Sequence, residues 1–302
     1  MGNVTFEQLE QEAPERRDLY QQFAGQEEEE RISFHYENDP EFFKIVTGDS
    51  WWTYSSPLWE DTDLTITQAQ ETKFAWYAQQ MNLSPGKTIL DVGCGWGGPL
   101  VHFCKQYQVS GVGISVSPRG LQVARVRAAE HGVDAQFLLS HWQHLPDTPQ
   151  FDAIYTDEVM VHIPDLTAFF NKCKRMLKPG GRMVHKDLHF THSQFKHAKD
   201  PLSQHVNKMY AYSGHYRTLV DMLSALDAAG FHLDQIKQIP IEHYKRTMDQ
   251  VWIPNINNNR RYLEQLTSPK HTREFKLYLK AILLLFRQKV FNLHIVSAAK
   301  AD

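Results

Sequence analysis

From residue 88 onward, short runs of β-branched and apolar residues alternate with longer stretches whose apolar positions recur every three or four residues. The first kind of run reads as a buried strand and the second as an amphipathic helix. Strands are predicted at 88–92, 111–115, 135–139, 151–156 and 182–187, with helices around 97–107, 118–131 and 165–177 between them, the last closed by the stop L-K-P-G-G. Another amphipathic helix is predicted over 216–229, stopped by Gly230, then a strand near 233–239, and F-N-L-H-I-V-S-A-A at 291–299 alternates like a final strand. This regular alternation is the signature of a parallel sheet with helices on its faces. Ahead of it, 65–81 reads as a helix broken by N-L-S-P-G-K. Residues 190–215 and 241–288 fall outside the alternation and are expected to cap the carboxyl ends of the strands, the edge where ligands sit in open sheets.

The first 32 residues are rich in Glu, Gln and Arg, including the block Q-E-E-E-E-R, and read as a solvated helix or frayed arm. From 34 to about 80 the texture turns aromatic, F-H-Y-E-N-D-P-E-F-F and then W-W-T-Y-S-S-P-L-W, a density that implies burial against something. Two units are expected: 1–80, a helical and aromatic segment covering a cofactor, and 81–302, the sheet with cap insertions at about 190–215 and 241–288.

Composition narrows the function classes. A chain of 302 residues with 42% hydrophobic and 22% charged positions is an ordinary globular composition, long enough to bury a large core. A net charge of -3 gives no general attraction to nucleic acid or to anionic membranes. Sixteen histidines follow no H-E-x-x-H spacing and three cysteines, Cys94, Cys104 and Cys173, no C-x-x-C spacing, so no metal site is expected and the sparse cysteines suit a reducing compartment. With no apolar signal region and no run longer than A-I-L-L-L-F at 281–286, the expectation is a cytoplasmic enzyme with no integral membrane segment and no nucleic-acid partner.

The candidate chemistry begins at T-I-L-D-V-G-C-G-W-G-G, 88–98, where an apolar strand ends on Asp91 and breaks into Gly93, Gly95, Gly97 and Gly98. Glycines let the backbone turn tightly and pass close to a ligand. Dinucleotide enzymes use a similar turn, but the acid that opens this one, and a second strand ending in Ser115 and Ser117 instead of a ribose-gripping acid, favour S-adenosyl-L-methionine (SAM) over NAD. The two serines either bond a ribose or cap a helix. His141 and Trp142 follow the third strand, where Trp142 either covers an adenine or packs in the core. After the fourth strand comes T-D-E-V-M-V-H-I-P-D, which sets Glu158 and His162 at the top of the sheet. Methyl transfer by in-line displacement needs an aligned acceptor and a destination for a proton. Glu158 is the candidate proton acceptor or cation stabiliser, against a surface carboxylate or a cap; His162 is a pocket residue or a structural histidine.

Aromatic residues Tyr36, Trp51, Trp52, Tyr54 and Trp59, and Tyr210, Tyr212, Tyr216, Tyr244 and Trp252 in the cap, either pack or offer faces to a cation. The pairs Lys245-Arg246 and Arg260-Arg261 read as a solvated face or as holders of a phosphate.

Together, H-Y-E-N-D-P-E-F-F, W-T-Y-S-S-P-L-W, T-I-T-Q-A-Q-E-T-K, L-D-V-G-C-G-W-G-G, L-K-P-G-G, E-H-Y-K-R-T-M-D and the C-terminal helix and strand resemble the cyclopropane fatty acid and mycolic acid synthases over about residues 34–299. The resemblance implies a class I SAM-methyltransferase fold, an α/β Rossmann-like seven-stranded sheet with an N-terminal helical segment and α-helical cap insertions. By matched positions it implies Tyr54 and Ser55 at the cofactor's amino acid end, Gly93 and Gly95 lining it, Ser115, Val116 and Ser117 at the ribose, and Trp142 at the adenine. Cyclopropane synthases of this family hold a bicarbonate base with a Cys, a Glu, a His and a Tyr; the first three positions here are Ser56, Val161 and Lys186, and only Tyr244 is kept. Glu158 instead matches the acid of relatives such as the coclaurine N-methyltransferases and of sterol and prenyl C-methyltransferases, and His162 resembles a His of the sterol enzymes. The expectation is therefore methyl transfer from SAM to a carbon or nitrogen of an apolar or amine small molecule, with Glu158, His162, Tyr244 and Tyr54 at the site. Cyclopropanation of acyl chains and a SAM-binding protein without catalysis are the alternatives. The amphipathic 271–288 segment serves either a core or a homodimer.

Overall fold

The computed structural model describes residues 39–148, 150–197 and 216–300, and its strands are β1 (Thr88–Val92), β2 (Ser110–Ser115), β3 (Ala135–Leu139), β4 (Phe151–Asp157), β5 (Leu177–Phe190), β6 (Phe231–Ile239) and β7 (Phe291–Lys300). They form one seven-stranded sheet in the order β3-β2-β1-β4-β5-β7-β6. The five strands from β3 to β5 run parallel, and β7 lies antiparallel to both β5 and β6. The sheet is thus mixed at one end, and it is the seven-stranded class I SAM-methyltransferase sheet that the resemblance implies.

Helices α1 (Pro40–Thr47) and α2 (Ile66–Gln80) precede the sheet; α3 (Gly98–Tyr107), α4 (Pro118–His131), α5 (Leu166–Met176) and α6 (Leu219–Ala228) alternate with its strands. Strand side chains alternate between the faces, so Ile89 enters one core with Leu100, Phe103 and Leu121, while Leu90 and Val92 enter the other with Phe169 and Leu226. The 241–288 insertion is mostly helical: α7 (Ile241–Thr247), a π-turn (Met248–Trp252), α8 (Ile253–Asn258), α9 (Arg260–Leu266) and α10 (Pro269–Arg287). It packs into the first core with α1, through Phe275 and Trp252 among others.

Two elements differ most from the sequence pattern. The predicted helix over 216–229 begins at Leu219, because Thr218 and Asp221 form a capping box that fixes the first turn there. Strand β5 is much longer than 182–187: Leu177 pairs with Phe151 ahead of a register shift, so L-K-P-G-G ends the helix inside a strand bulge, and the far end reaches Phe190 because β7 pairs with it residue for residue. The 1–32 arm, Tyr36, Tyr210, Tyr212 and most of the 190–215 insertion lie outside the described residues. Among the described residues no helix is long and apolar enough to cross a membrane, and no group of His, Cys, Asp and Glu is arranged to hold a metal.

Candidate active site at the switch point of the sheet

Strand order reverses between β1 and β4, the kind of switch point outside whose carboxyl ends open α/β sheets bind ligands. The glycine loop follows β1, with Gly93, Gly95 and Gly97 in the left-handed region at φ 84°, 52° and 73°. A Cβ on Gly95 would meet nothing within 4 Å, so the loop faces open space there. A Cβ on Gly93 would come within 2.6 Å of Val159, which brings the loop into contact with the turn after β4. Asp91 is buried under the loop and accepts the Tyr155 hydroxyl at 2.6 Å; burial pushes its carboxyl up to about 7. At the end of β2, Ser117 caps α4 through the Gly120 N–H at 3.2 Å, and Ser115 accepts the Ser117 N–H at 3.1 Å. Ser117 is thus a buried helix cap, and Ser115 and Val116 beside it are half-buried. Trp142 is buried edge-on against Phe169, its indole N–H without a partner among the described residues, and burial pushes the neighbouring His141 down to about 3.

The turn after β4 carries the strongest electrostatic feature. Glu158 sits at φ 60°, a left-handed conformation costly for a residue with a side chain, and its N–H donates to the Lys186 carbonyl at 2.7 Å. Its carboxylate collects three donors: the Ser56 N–H at 3.0 Å, the Tyr244 hydroxyl at 2.7 Å and the Lys186 ammonium. Beside it, Asp157 accepts from Lys73 at 2.6 Å, Ser55 at 2.6 Å, Lys186 at 3.1 Å and Tyr77 at 3.2 Å. Both lysine side chains are 0% exposed, against 11% for Asp157 and 10% for Glu158. Two buried cations therefore face two nearly buried anions, an arrangement that only close pairing makes tolerable. Burial alone would raise the Asp157 carboxyl, but Lys186 and Lys73 hold it well below the usual carboxylate range. Burial pushes Lys73 down to about 8 against the pull of Asp157, whereas at Lys186 the two anions outweigh burial and raise the ammonium. Burial and then Glu158 push Tyr244 well above the ordinary tyrosine value, so it stays a donor.

The same turn is braced from behind. Asp187 accepts the Met160 N–H at 2.7 Å, and Arg217 donates to the carbonyls of Met160, Ile163 and Pro164 at 3.2, 2.5 and 2.7 Å. His162 rides on this turn, half-buried. Burial pushes the Asp187 carboxyl up to about 7.

Aromatic rings pack beside Glu158, which Tyr244 joins to them. Tyr54 stacks on Trp252 with centroids 4.9 Å apart, and Phe43 meets it edge-on at 5.2 Å. Tyr244 lies 5.0 Å from Phe286 and 6.0 Å from Trp252. A strap of residues 49–53 crosses the N-terminus of α3, where Arg127 donates to the Trp51 carbonyl at 2.6 Å. Three members of the basic pairs have intrachain partners: Arg246 lies 3.9 Å over the Trp59 ring and donates to the Asp61 and Thr62 carbonyls, Lys245 faces Glu242 at 3.5 Å, and Arg260 pairs with Glu264 at 2.7 Å.

Glu158, Tyr244 and Ser55 are thus brought into one connected cluster, with Tyr54 in its wall. Ser55 enters by its hydroxyl, which is already bonded to Asp157 and to Lys73 at 2.7 Å. Sequence reasoning missed Asp157 and Lys73, and took Lys186 only as a departure. The doublet T-D-E at a strand end was the available signal, because adjacent buried acids require cations from elsewhere. Of the four base-site positions in cyclopropane synthases, Ser56, Lys186 and Tyr244 converge on the Glu158 carboxylate, and Val161 is buried in the core.

A family described as mycolic acid cyclopropane synthetase matches residues 24–296. The chain is 25% identical over 306 residues to a probable fatty acid methyltransferase of Pseudomonas putida, covering 99% of this chain and 75% of that one. It is 27% identical over 268 residues to the S-adenosylmethionine-dependent methyltransferase UmaA of Mycobacterium tuberculosis, covering 85% and 92%. Its fold superposes on the cyclopropane synthase MmaA2 from Mycobacterium tuberculosis with a TM-score of 0.82 at 23% identity, covering 90% of this chain and 98% of that one.

Proposed function

The chain belongs to the mycolic acid cyclopropane synthetase family of SAM-dependent enzymes, and from that premise we propose that it transfers a methyl group from SAM to a carbon or nitrogen of a largely apolar small molecule, with Glu158 receiving the proton that the acceptor loses. The observation that carries this reading is the Glu158 carboxylate itself, fixed by three donors next to an aromatic wall and a glycine loop.

SAM, when bound, supplies an electrophilic methyl on a sulfonium. The residues present fit it: the left-handed glycines leave open space over Gly95, where a bulkier loop would intrude. Gly93 and Gly95 would line the amino acid end with Tyr54 and the Ser55 backbone. Ser115, Val116 and Ser117 would meet the ribose, and His141 and Trp142 the base, with Asp91, bonded to Tyr155, in the strand that carries the loop. Tyr54, Tyr244 and Trp252 exclude water and present ring faces to the positive charge that the acceptor develops. Ser56, Tyr244 and Lys186 hold Glu158 as an oriented anion, so the acceptor's proton moves to a carboxylate already in place. The turn brace keeps Glu158 and His162 in register with the acceptor. This reading takes an apolar or amine small molecule as partner, needs neither nucleic acid nor a membrane-spanning segment, and suits a cytoplasmic enzyme.

Ring closure on an acyl-chain alkene is a second reading, favoured by the convergence of Ser56, Lys186 and Tyr244 on one carboxylate at the family's base-site positions. SAM bearing a fully deuterated methyl separates the two. Methyl transfer leaves all three deuterons on the product, ring closure leaves two, and no labelled product from a screen of lipids and amines would remove both readings.

A further inference from the structure

The outer face of α10 differs from the rest of the molecule. At 100° per residue, Lys270, Arg273, Leu277, Lys280, Leu284 and Arg287 fall within about 100° of arc. All six are exposed; Leu277 and Leu284 are exposed by 50% and 44%, beside the four cations. No acid lies within that arc. Glu274, half-buried, borders it, and Asp249 approaches Arg287 no closer than 3.9 Å. Tyr262 on α9, in the same helical cap, is a further large apolar side chain left 48% exposed. The inner face of the same helix is different: Phe275 and Phe286 pack against Tyr54 and Tyr244 in the wall of the acceptor space.

The chain as a whole is acidic, with a net charge of -3, so this basic stripe is a local asymmetry. Solvated helix faces ordinarily mix both signs of charge and lack large leucines. Cations interleaved with exposed leucines are the composition of a helix that lies in the plane of an anionic lipid surface, where the charges meet headgroups and the apolar side chains enter the acyl boundary.

We propose that α10 docks this protein on the surface of an anionic phospholipid bilayer, with its axis in the membrane plane. The helix then faces lipid on one side and the acceptor space on the other, which sets the catalytic cluster one helix diameter from the membrane. The surface does not depend on which acceptor is methylated.

The test is co-sedimentation of the full-length chain with vesicles of phosphatidylglycerol and phosphatidylcholine, against vesicles of phosphatidylcholine alone. The full chain is expected to pellet with the anionic vesicles, to stay in solution with the neutral ones, and to be released by salt. The double variant Arg273→Glu/Lys280→Glu is expected to lower the bound fraction at least about tenfold, and Leu277→Ser/Leu284→Ser to lower it at low salt as well. Lys87→Glu/Lys105→Glu, a matched charge change on α3 and the turn before β1, is expected to leave binding unaltered, with unchanged circular dichroism for all variants. Absence of binding by the full chain, equal binding to neutral vesicles, or equal loss in the control overturns the proposal. So does a change of the Arg273→Glu/Lys280→Glu variant from dimer to monomer without vesicle binding by the parent, which assigns the face to a second copy. Retention by an oligonucleotide with no vesicle binding overturns it equally.

Discussion

Tyr244 donates its hydroxyl to Glu158 at 2.7 Å across 86 residues of sequence, joining the first helix of the cap to the turn after β4. The bond ties the acceptor wall to the proton acceptor, so a cap that shifts takes a donor from Glu158 with it. Tyr244→Phe keeps the ring and removes one hydrogen bond to a charged group. It should lower the acceptor-dependent rate about tenfold or more, consistent with a loss of roughly 1.5–3 kcal/mol, while S-adenosylhomocysteine affinity stays near that of the parent. Equal rates in both proteins would show that the hydroxyl only packs.

Lys186→Met removes the cation shared by Asp157 and Glu158 and leaves two nearly buried carboxylates with incomplete pairing. Denaturant unfolding should show a loss of about 3–5 kcal/mol. A variant as stable as the parent would mean that Lys73 alone balances the cluster.

Burial holds His185 far below the ordinary histidine range, at about 3, and its Nε2 has no partner among the described residues. Above the unfolded value of about 6.5 both states carry a neutral ring; below it the unfolded chain takes a proton that the folded one refuses. This group therefore costs stability as pH falls from about 6.5 toward 3. His185→Leu lacks that cost, so its stability relative to the parent should improve by about 2 kcal/mol between about pH 7.5 and 5. The comparison must be with the parent, because the raised carboxyls of Asp91 and Asp187 act in the opposite direction, favouring the folded state as pH falls through about 7. A constant difference across that range would contradict the burial of a neutral ring.

Gly98 opens α3 where the 49–53 strap crosses, and a Cβ there would lie 1.9 Å from the Trp51 carbonyl oxygen and 2.7 Å from Arg127. Backbone cannot yield as a flexible side chain does. Gly98→Ala should cost about 1–3 kcal/mol in thermal unfolding and weaken S-adenosylhomocysteine binding in calorimetry by displacing the strap over the glycine loop. Parent-like values in both would place the strap elsewhere.

Local features of this fold were legible in the sequence because neighbours in the chain decide them. The run ending in Asp91 and the glycines specifies a strand and a turn by itself, and T-D-E marks an acid at the top of β4. The Thr218-x-x-Asp221 box could have placed the start of α6. The extent of β5 could not be read, because β7, more than a hundred residues later, supplies the pairing that prolongs it. The partners of the two acids were hidden for the same reason: Lys73 lies 84 residues from Asp157, and Lys186 reaches Glu158 only once β4 and β5 are in register. Lys186 and Ser56 read as losses against the cyclopropane synthases, yet both now bond Glu158.

The central claim is that Glu158 receives the acceptor's proton and has no part in holding SAM. Glu158→Gln, assayed for acceptor-dependent S-adenosylhomocysteine release at saturating SAM with cofactor affinity measured on the same preparation, tests it most directly. The account predicts a fall in turnover of at least about a hundredfold with cofactor affinity within about twofold of the parent. Turnover equal to the parent, or loss of cofactor binding along with activity, would contradict it.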